Sequence, residues 1–402
     1  MKLSVNITIL VVVLSFFSIK SCTDFDHLPH ARVIVPVADA VMRRLGSCSQ
    51  QLYYQLPYAE VAEPEAEICE RGYQLLFNEQ VGIIDQQGDE MCVCVPHIYY
   101  QPARNEKPLS TYWVLSSSIM PIQELQKANV DITLFPKAKH IYSPELVTNE
   151  LVLKYPWTYN GITYSVGTRF AIDSLSAGQA SIWVFNPQSK QWDSARIDKQ
   201  FYVTPEIRSL EDSITLMLEI MRLWAHHPHG VIPYVWGGAS FTHLVPDNEF
   251  IIKRSQGIMV YEREQSTYPK TGFDCSCFIS RAAQICNLPY WWGDSVTVHL
   301  HAMPVTKKNG IRNGDIIWIP GHVLMVSDVK QGIIIEARGY GSGYGKVHEL
   351  HLAKFFDGIS TFDELLSAYE QQAPLSVLNR AGQIRAIYKQ FCICDLRESL
   401  GS

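Results

Sequence analysis

The sequence lacks an excess of basic charge and lacks a long apolar run after its N-terminus. Lys and Arg number 34 against 40 Asp and Glu, which gives a formal net charge of -6. That balance argues against nucleic acid as a partner, because such binding needs a basic face. No later run approaches the roughly 20 apolar residues of a membrane span. Hydrophobic residues still make up 47% of the 402 residues, which predicts a globular protein of about two or three domains.

Cysteine is also sparse, with 10 in the chain. The pairs Cys92/Cys94 and Cys392/Cys394 lack the wider spacing typical of a zinc site. Their alternation is typical of strand residues, and two interpretations stay open: buried small hydrophobic side chains or disulfides. We expect neither a metal nor another cofactor.

The N-terminal residues 1–22 have the pattern of a signal peptide. Met1 and Lys2 precede the apolar run VNITILVVVLSFFSI, and small and polar residues follow it. An uncleaved anchor is the alternative. Cys22 is a candidate lipoprotein acceptor, although Lys20 fits that motif poorly. The sequence therefore predicts export to the periplasm or cell envelope, with lipid anchoring at Cys22 left open.

The first half of the chain predicts two small β units. Short segments rich in β-branched and aromatic residues alternate with turn residues over 32–120 and again over 155–205. Residues 121–154 connect them, and the stretch SPELVTNELVLK at 143–154 is predicted to be helical. Apolar residues three and four apart predict a linker helix within 206–230.

Cys275 directly follows a turn-like Gly-Phe-Asp and begins a predicted helix. Unsatisfied amides at a helix start stabilise a thiolate. Downstream, His322 opens a predicted apolar strand, and Glu336 lies in the next one. A thiolate, a histidine on a facing strand and a polar residue on its neighbour are the set that papain-like catalysis uses. Each residue alone has an ordinary structural explanation, but together they favour catalysis. Four other histidines lack such placement and rank lower as the base: His243, His299, His301 and His348.

Four short motifs lie in the same part of the chain: YVWGG at 234–238, GFDCS at 272–276, Gly314-Asp315 and GHV at 321–323. On these motifs, residues 231–392 resemble the NlpC family of papain-like bacterial cell-wall peptidases. The region before it resembles the bacterial SH3-like pair of the γ-D-glutamyl-L-diamino acid endopeptidases in that family. The resemblance implies an α+β fold of two small SH3-like β-barrels followed by a papain-like catalytic domain, with a tail at 393–402.

The resemblance also implies a role for each matching residue. Cys275 would be the nucleophile, His322 the base and Glu336 the residue that orients the imidazole, where relatives commonly have histidine. The implied substrate-binding residues are Tyr234, Trp236, Asp274, Ser276 and Ser295, with Glu60 as a candidate from the first barrel.

The implied reaction is hydrolysis of the bond between γ-D-glutamate and diaminopimelate in peptidoglycan stem peptides with a free N-terminal L-alanine. The resemblance implies a monomer whose partners are those peptides. Two alternatives remain: an N-acetylmuramoyl-L-alanine amidase with the same Cys-His pair, and a non-catalytic wall-binding protein.

Two features depart from the family pattern. Cys277 stands where the family has glycine, and it is either a harmless packing residue or a redox partner of Cys275. The segment 239–271 is longer than in relatives, and we expect it to form a hairpin flap over the cleft.

Overall fold

The computed structural model describes most of the chain after the predicted signal peptide. The described residues are 22–46, 49–55, 70–101, 103–139, 149–246, 251–255, 258–262 and 270–401. The signal-peptide prediction for 1–22, apart from Cys22, and the prediction for Glu60 lie outside them. Within these ranges no helix has the length and apolar character needed to cross a bilayer. The architecture is α+β, with three larger antiparallel sheets.

The first sheet spans residues 30 to 121. Its strands are β1 (His30–Val33), β2 (Val37–Val41), β3 (Arg71–Leu76), β4 (Gln80–Gln87), β5 (Glu90–Cys94), β6 (Thr111–Leu115) and β7 (Ile119–Pro121). They lie in the order β3-β2-β6-β5-β4-β1-β7. Among the described residues no pairing joins the end strands β3 and β7, so this sheet is open and an SH3-like barrel stays a prediction. Helix α1 (Ser49–Gln55) and the 3-10 helix Cys22–His27 flank it.

The second β unit spans residues 150 to 203. Its strands are β8 (Glu150–Leu153), β9 (Trp157–Tyr159), β10 (Ile162–Tyr164), β11 (Arg169–Leu175), β12 (Gln179–Asn186), β13 (Gln191–Asp198) and β14 (Tyr202–Val203). The order is β13-β12-β11-β8-β14, and β9 and β10 form a separate hairpin. In β13 the buried Ala195 and Ile197 alternate with exposed Arg196 and Asp198, as one covered sheet face requires.

The boundary between the two sheets differs from the prediction. Helix α2 (Ile122–Lys127) lies in the connector, but ELVL at 150–153 forms β8 where a helix was predicted. All four of these side chains are buried, and β8 pairs with β11. Pairing and burial outweigh the local preference. The second sheet therefore begins before residue 155.

Helix α3 (Leu210–Ala225) lies within the segment 206–230 where a helix was predicted. Ser209 caps it by accepting from the Asp212 amide. One face is buried through Ile214, Met217 and Trp224. The helix thus packs its apolar stripe into the core of the C-terminal half.

The third sheet belongs to the C-terminal half and has six strands in the order β19-β26-β20-β21-β22-β23. The strands after β14 are β15 (Ala239–Ser240), β16 (Ile251–Ser255), β17 (Ile258–Glu262), β18 (Gly272–Phe273), β19 (Met303–Pro304), β20 (Ile316–Ile319), β21 (His322–Asp328), β22 (Ile333–Arg338), β23 (Lys346–His351), β24 (Leu375–Leu378), β25 (Ile384–Tyr388) and β26 (Cys392–Asp395). The remaining helices are α4 (Cys275–Ile285), α5 (Ser295–His301), α6 (Leu352–Phe355), α7 (Phe362–Glu370) and α8 (Leu396–Gly401). Every residue of α4 is buried, because the helix is packed between the third sheet and the first β unit.

Two predicted details of this half turn out differently. The predicted last strand, β25, pairs with β24 outside the main sheet, while CICD at 392–395 forms a central strand. Ile393 and Cys394 are fully buried, so the sheet continues past the predicted boundary at 392.

The hairpin predicted within 239–271 is present as β16 and β17. Its role as a flap over the cleft stays a prediction.

The cysteines of the two C-x-C pairs differ in whether they form a disulfide. Cys94 is disulfide-bonded. Cys92, Cys392 and Cys394 are free. The two C-x-C pairs therefore differ in chemistry, although both lie in strands as their alternation predicts.

Candidate active site

Cys275 is the first residue of α4. Asp274 caps the helix, since its Oδ1 accepts from the Cys277 amide at 2.7 Å and from the Ser276 hydroxyl at 3.0 Å. The thiol therefore lies on the first turn, where backbone amides without helical partners favour an anion. Only 7% of Cys275 is exposed.

His322 opens β21 after a tight turn at Pro320-Gly321, in which Gly321 has φ +78°. Its Nε2 lies 2.6 Å from Glu336 Oε2 on the adjacent strand β22. An ionised carboxylate only accepts hydrogen bonds, so Nε2 carries the hydrogen. The other ring nitrogen, Nδ1, is then the one that can take a proton from a thiol.

Glu336 is fully buried and is surrounded by donors. His348 Nε2 lies 3.1 Å from Oε1, and an Arg338 nitrogen lies 3.7 Å from the same oxygen. Burial acts to raise the pKa of Glu336, but Arg338, the hydrogen bond from His322 and the nearby His348 outweigh it and hold the pKa well below the usual range. Glu336 is therefore a carboxylate at neutral pH.

Sequence reasoning missed the place of His348, which ranked low as a base. It lies directly opposite Glu336 in the pairing of β22 with β23. Its Nδ1 lies 3.0 Å from the Lys346 carbonyl, and its ring stacks on Tyr344 at 4.3 Å. His348 is therefore fixed from both sides, in contact with the carboxylate. The signal that could have found it is the short hairpin that brings KVHELH back along β22.

A cavity of about 370 Å³ lies between the first β unit and the C-terminal half. Cys275 lines it, and so does Gly321, the residue directly before His322. The predicted binding residues described here also line it: Tyr234, Trp236, Asp274, Ser276 and Ser295. The first β unit closes the opposite wall with Met42, Arg71, Gly72, Tyr100 and Tyr112. Cys275 thus lines a partly open cavity with walls from two parts of the chain.

Two carboxylates line this cavity. Burial raises the pKa of Asp274 to about 6, against the lowering effect of its hydrogen bonds from Cys277 and Ser276. Asp294, which the sequence analysis missed, caps α5 by accepting from the Thr297 amide at 2.8 Å. Burial also raises its pKa. Because buried carboxylates need compensation, the pair favours a cationic group in the cavity.

Arg71 fixes the wall of the first β unit against the loop that carries Trp236. Its Nε donates to Asp39 at 2.6 Å, and its Nη1 donates to the Trp236 carbonyl at 3.1 Å. Gly237 has φ +63°, and a Cβ there would collide with the Arg71 carbonyl. The glycine therefore permits a close approach between the two parts.

Cys277 points away from Cys275. Two positions along a helix turn the side chain by about 200°, and Cys277 packs with Tyr112 and Ala31 of the first β unit. Burial, followed by Asp274, raises the pKa of the Cys277 thiol well above its usual value. Neither Cys275 nor Cys277 forms a disulfide. The arrangement favours the packing interpretation over the redox one.

Comparison with known proteins gives similarities at the level of structure. No protein-family model matches the sequence. No curated protein matches it. An NlpC/P60 family protein from Bacillus cereus ATCC 10987 has a TM-score of 0.49 at 14% identity, over 80% of this chain and 94% of that chain.

Two proteins of Trichomonas vaginalis are also similar. NlpC2 has a TM-score of 0.31 at 14% identity, over 82% of this chain and 95% of that chain. NlpC1 has a TM-score of 0.29 at 14% identity, over 86% of this chain and 94% of that chain. All three TM-scores are below 0.5, so the functional assignment rests on the chain's own residues.

Proposed function

We propose that the chain is a cysteine peptidase of NlpC type that hydrolyses the γ-D-glutamyl-diaminopimelate bond of peptidoglycan stem peptides. One observation carries the proposal. Cys275 starts a helix on a cavity that Gly321 also lines, and the adjacent His322 is held 2.6 Å from a buried carboxylate. A nucleophile, a base and an orienting group are what acyl transfer through a thioester requires.

In the proposed reaction, Nδ1 of His322 accepts the proton of the Cys275 thiol. The thiolate attacks the γ-carbonyl carbon of D-glutamate, and the oxyanion accepts from the Cys275 amide and the Tyr234 hydroxyl. The imidazolium then protonates the amine of diaminopimelate as the C–N bond breaks. A water, deprotonated by His322, attacks the thioester and regenerates the thiol. Removing one oxyanion donor typically costs about 10² to 10³ in rate.

We further propose that the substrate has a free N-terminal L-alanine. Asp274 and Asp294 suit its ammonium, because a buried cation is stabilised by opposite charge. The cavity of about 370 Å³ is near the small end of ligand pockets. We propose that the wall from the first β unit excludes a glycan strand from this end of the cavity.

The proposed cellular location agrees with the proposed substrate. An exported chain in the periplasm or cell envelope would meet stem peptides there, either free or with Cys22 as a lipid anchor. We propose that it acts as a monomer, since the nucleophile and the cavity wall come from one chain.

Replacing Cys275 with alanine tests the proposal. The synthetic peptide L-Ala-γ-D-Glu-diaminopimelate is incubated with the wild type and the variant, and products are identified by mass. We expect the wild type to release diaminopimelate and the variant to release none, because no other thiol described here faces the cavity.

Cys277→Ala is the matched control and should retain activity. An N-acetylated peptide should be a poor substrate. A fully active Cys275→Ala variant would contradict the assignment. Release of muramic acid from a muramyl peptide, with the γ-glutamyl bond intact, would instead identify an amidase.

A further inference from the structure

A second, much smaller cavity lies where four parts of the chain meet. Its volume is about 20 Å³. Glu79 and His97 reach it from the first β unit, Arg169 from the second, Arg281 and Gln284 from α4, and Lys139 from the connector. A space of this size holds about one water or one monatomic ion.

The side chains around this junction carry more positive than negative charge. Arg281 donates to Glu79 at 3.0 Å, and Arg169 donates to Glu150 at 2.9 Å. Lys139 has only neutral oxygens among its recorded partners: the Gln284 carbonyl at 3.3 Å and Asn287 Oδ1 at 3.1 Å.

Arg32 lies close by and also donates to carbonyls, those of Asn78 and Pro136. Within the described residues, four cationic groups thus share two carboxylates. Burying charge without compensation is unfavourable, which leaves a place for a negative charge.

The pKa values of the buried cations also favour a negative charge at this junction. The pKa of Lys139 is lowered to about 8, first by burial and then by Arg169. Burial and Arg169 likewise lower the pKa of Arg32, to about 9. Both groups remain charged at neutral pH. Burial lowers the pKa of His97 to about 4, so this ring adds no positive charge there.

The cavity wall offers a donor without a partner. Gln284 Nε2 is buried and has no partner among the described residues. Its amide is fixed in orientation, because Oε1 accepts from Arg281 at 2.9 Å and from the Tyr73 hydroxyl at 3.5 Å. The carboxylate of Glu79 is already used on both oxygens, by Arg281 and by the Leu76 amide. The wall thus offers the Gln284 amide and the cationic side chains as donors, and a halide, which only accepts, suits them.

We propose that this junction cavity binds one small monovalent anion, chloride in ordinary solution, between Lys139, the two arginines and the Gln284 amide. The site is separate from the proposed peptidase cavity and does not depend on that function. Its anion would tie the two β units to α4 and so stabilise the wall opposite Cys275.

Bromide is a direct probe of the full-length protein. Crystals grown with sodium bromide should show an anomalous peak in the junction cavity. Thermal unfolding in chloride or bromide, against gluconate at the same ionic strength, should show a midpoint higher by about 2 °C. Gluconate is too large for the cavity. A cavity that contains only water, or identical midpoints in all three salts, would overturn the proposal.

Gln284→Glu tests the charge argument. The new carboxylate keeps the acceptor oxygen for Arg281 and supplies the negative charge itself. We expect the halide-dependent shift and the bromide peak to disappear while the fold persists. The exposed Gln200→Glu is the matched control and should keep both. A folded Gln284→Glu protein with the full halide shift would refute the site. If the variant fails to fold, the bromide map of the wild type decides by itself.

Discussion

Replacing Glu336 with glutamine tests how the imidazole of His322 is held. The carboxylate is fully buried, accepts from Nε2 at 2.6 Å and is kept ionised by Arg338 and His348. Glutamine keeps the shape but removes the charge that stabilises an imidazolium. Losing one partner of a buried charged pair costs about 3 to 5 kcal/mol, most of it felt when His322 is protonated. At 1.36 kcal/mol per tenfold, kcat/KM should fall about 10² to 10⁴-fold.

Two measurements check this prediction. The first is kcat/KM for the stem peptide, and the second is the rate of Cys275 alkylation by iodoacetamide as a function of pH. We expect alkylation at neutral pH to slow in the variant, because fewer molecules contain the thiolate-imidazolium pair. Glu349→Gln on the neighbouring strand, which contacts His226 at the surface, is the matched control. A Glu336→Gln enzyme within twofold of wild type in both measurements would refute the role of the carboxylate.

Two further predictions concern pH. Burial raises the pKa of Asp274 to about 6, so KM for a free-amine peptide should fall as pH rises through about 6. The variant Asp274→Asn should lose that dependence of KM on pH. If the pH profile of KM is the same in this variant as in the wild type, the carboxylate is excluded from amine binding. The folded pKa of Glu336 is below its ordinary value of 4.5, so its contribution to stability is present above that pH and is lost as pH falls below it. Urea unfolding should show a smaller stability loss between about pH 5 and 3 for Glu336→Gln than for wild type, and equal losses would contradict this.

The local part of the site could be predicted from the sequence, because its geometry is set within a few residues. Asp274 caps α4 by accepting from the amide three positions later, so the start of the helix at Cys275 could be predicted from the sequence. The position of His348 was not. Its contact with Glu336 depends on the register of β22 against β23, and a slip of one residue would turn His348 to the other face.

Short apolar runs were ambiguous for another reason. ELVL at 150–153 and CICD at 392–395 each fit a strand or a buried helix segment by composition. Their partners, β11 and β20, decide the outcome, and the distance along the chain to β20 is long. The orientation of Cys277, by contrast, follows from helical periodicity alone: with Cys275 facing the cavity, a residue two positions later faces away.

Helix α4 connects the chemistry of the site to the docking of the first β unit. Its first residue is the proposed nucleophile. Two turns later Arg281 donates to Glu79, to the Gln74 carbonyl and to the Ala239 carbonyl. A buried guanidinium with these partners resists displacement, since moving the first β unit would leave its charge buried without a partner. The distance between the thiol and the opposite cavity wall is therefore set by one rigid helix. In the proposed function, selectivity for a free amine depends on this docking as well as on the carboxylates.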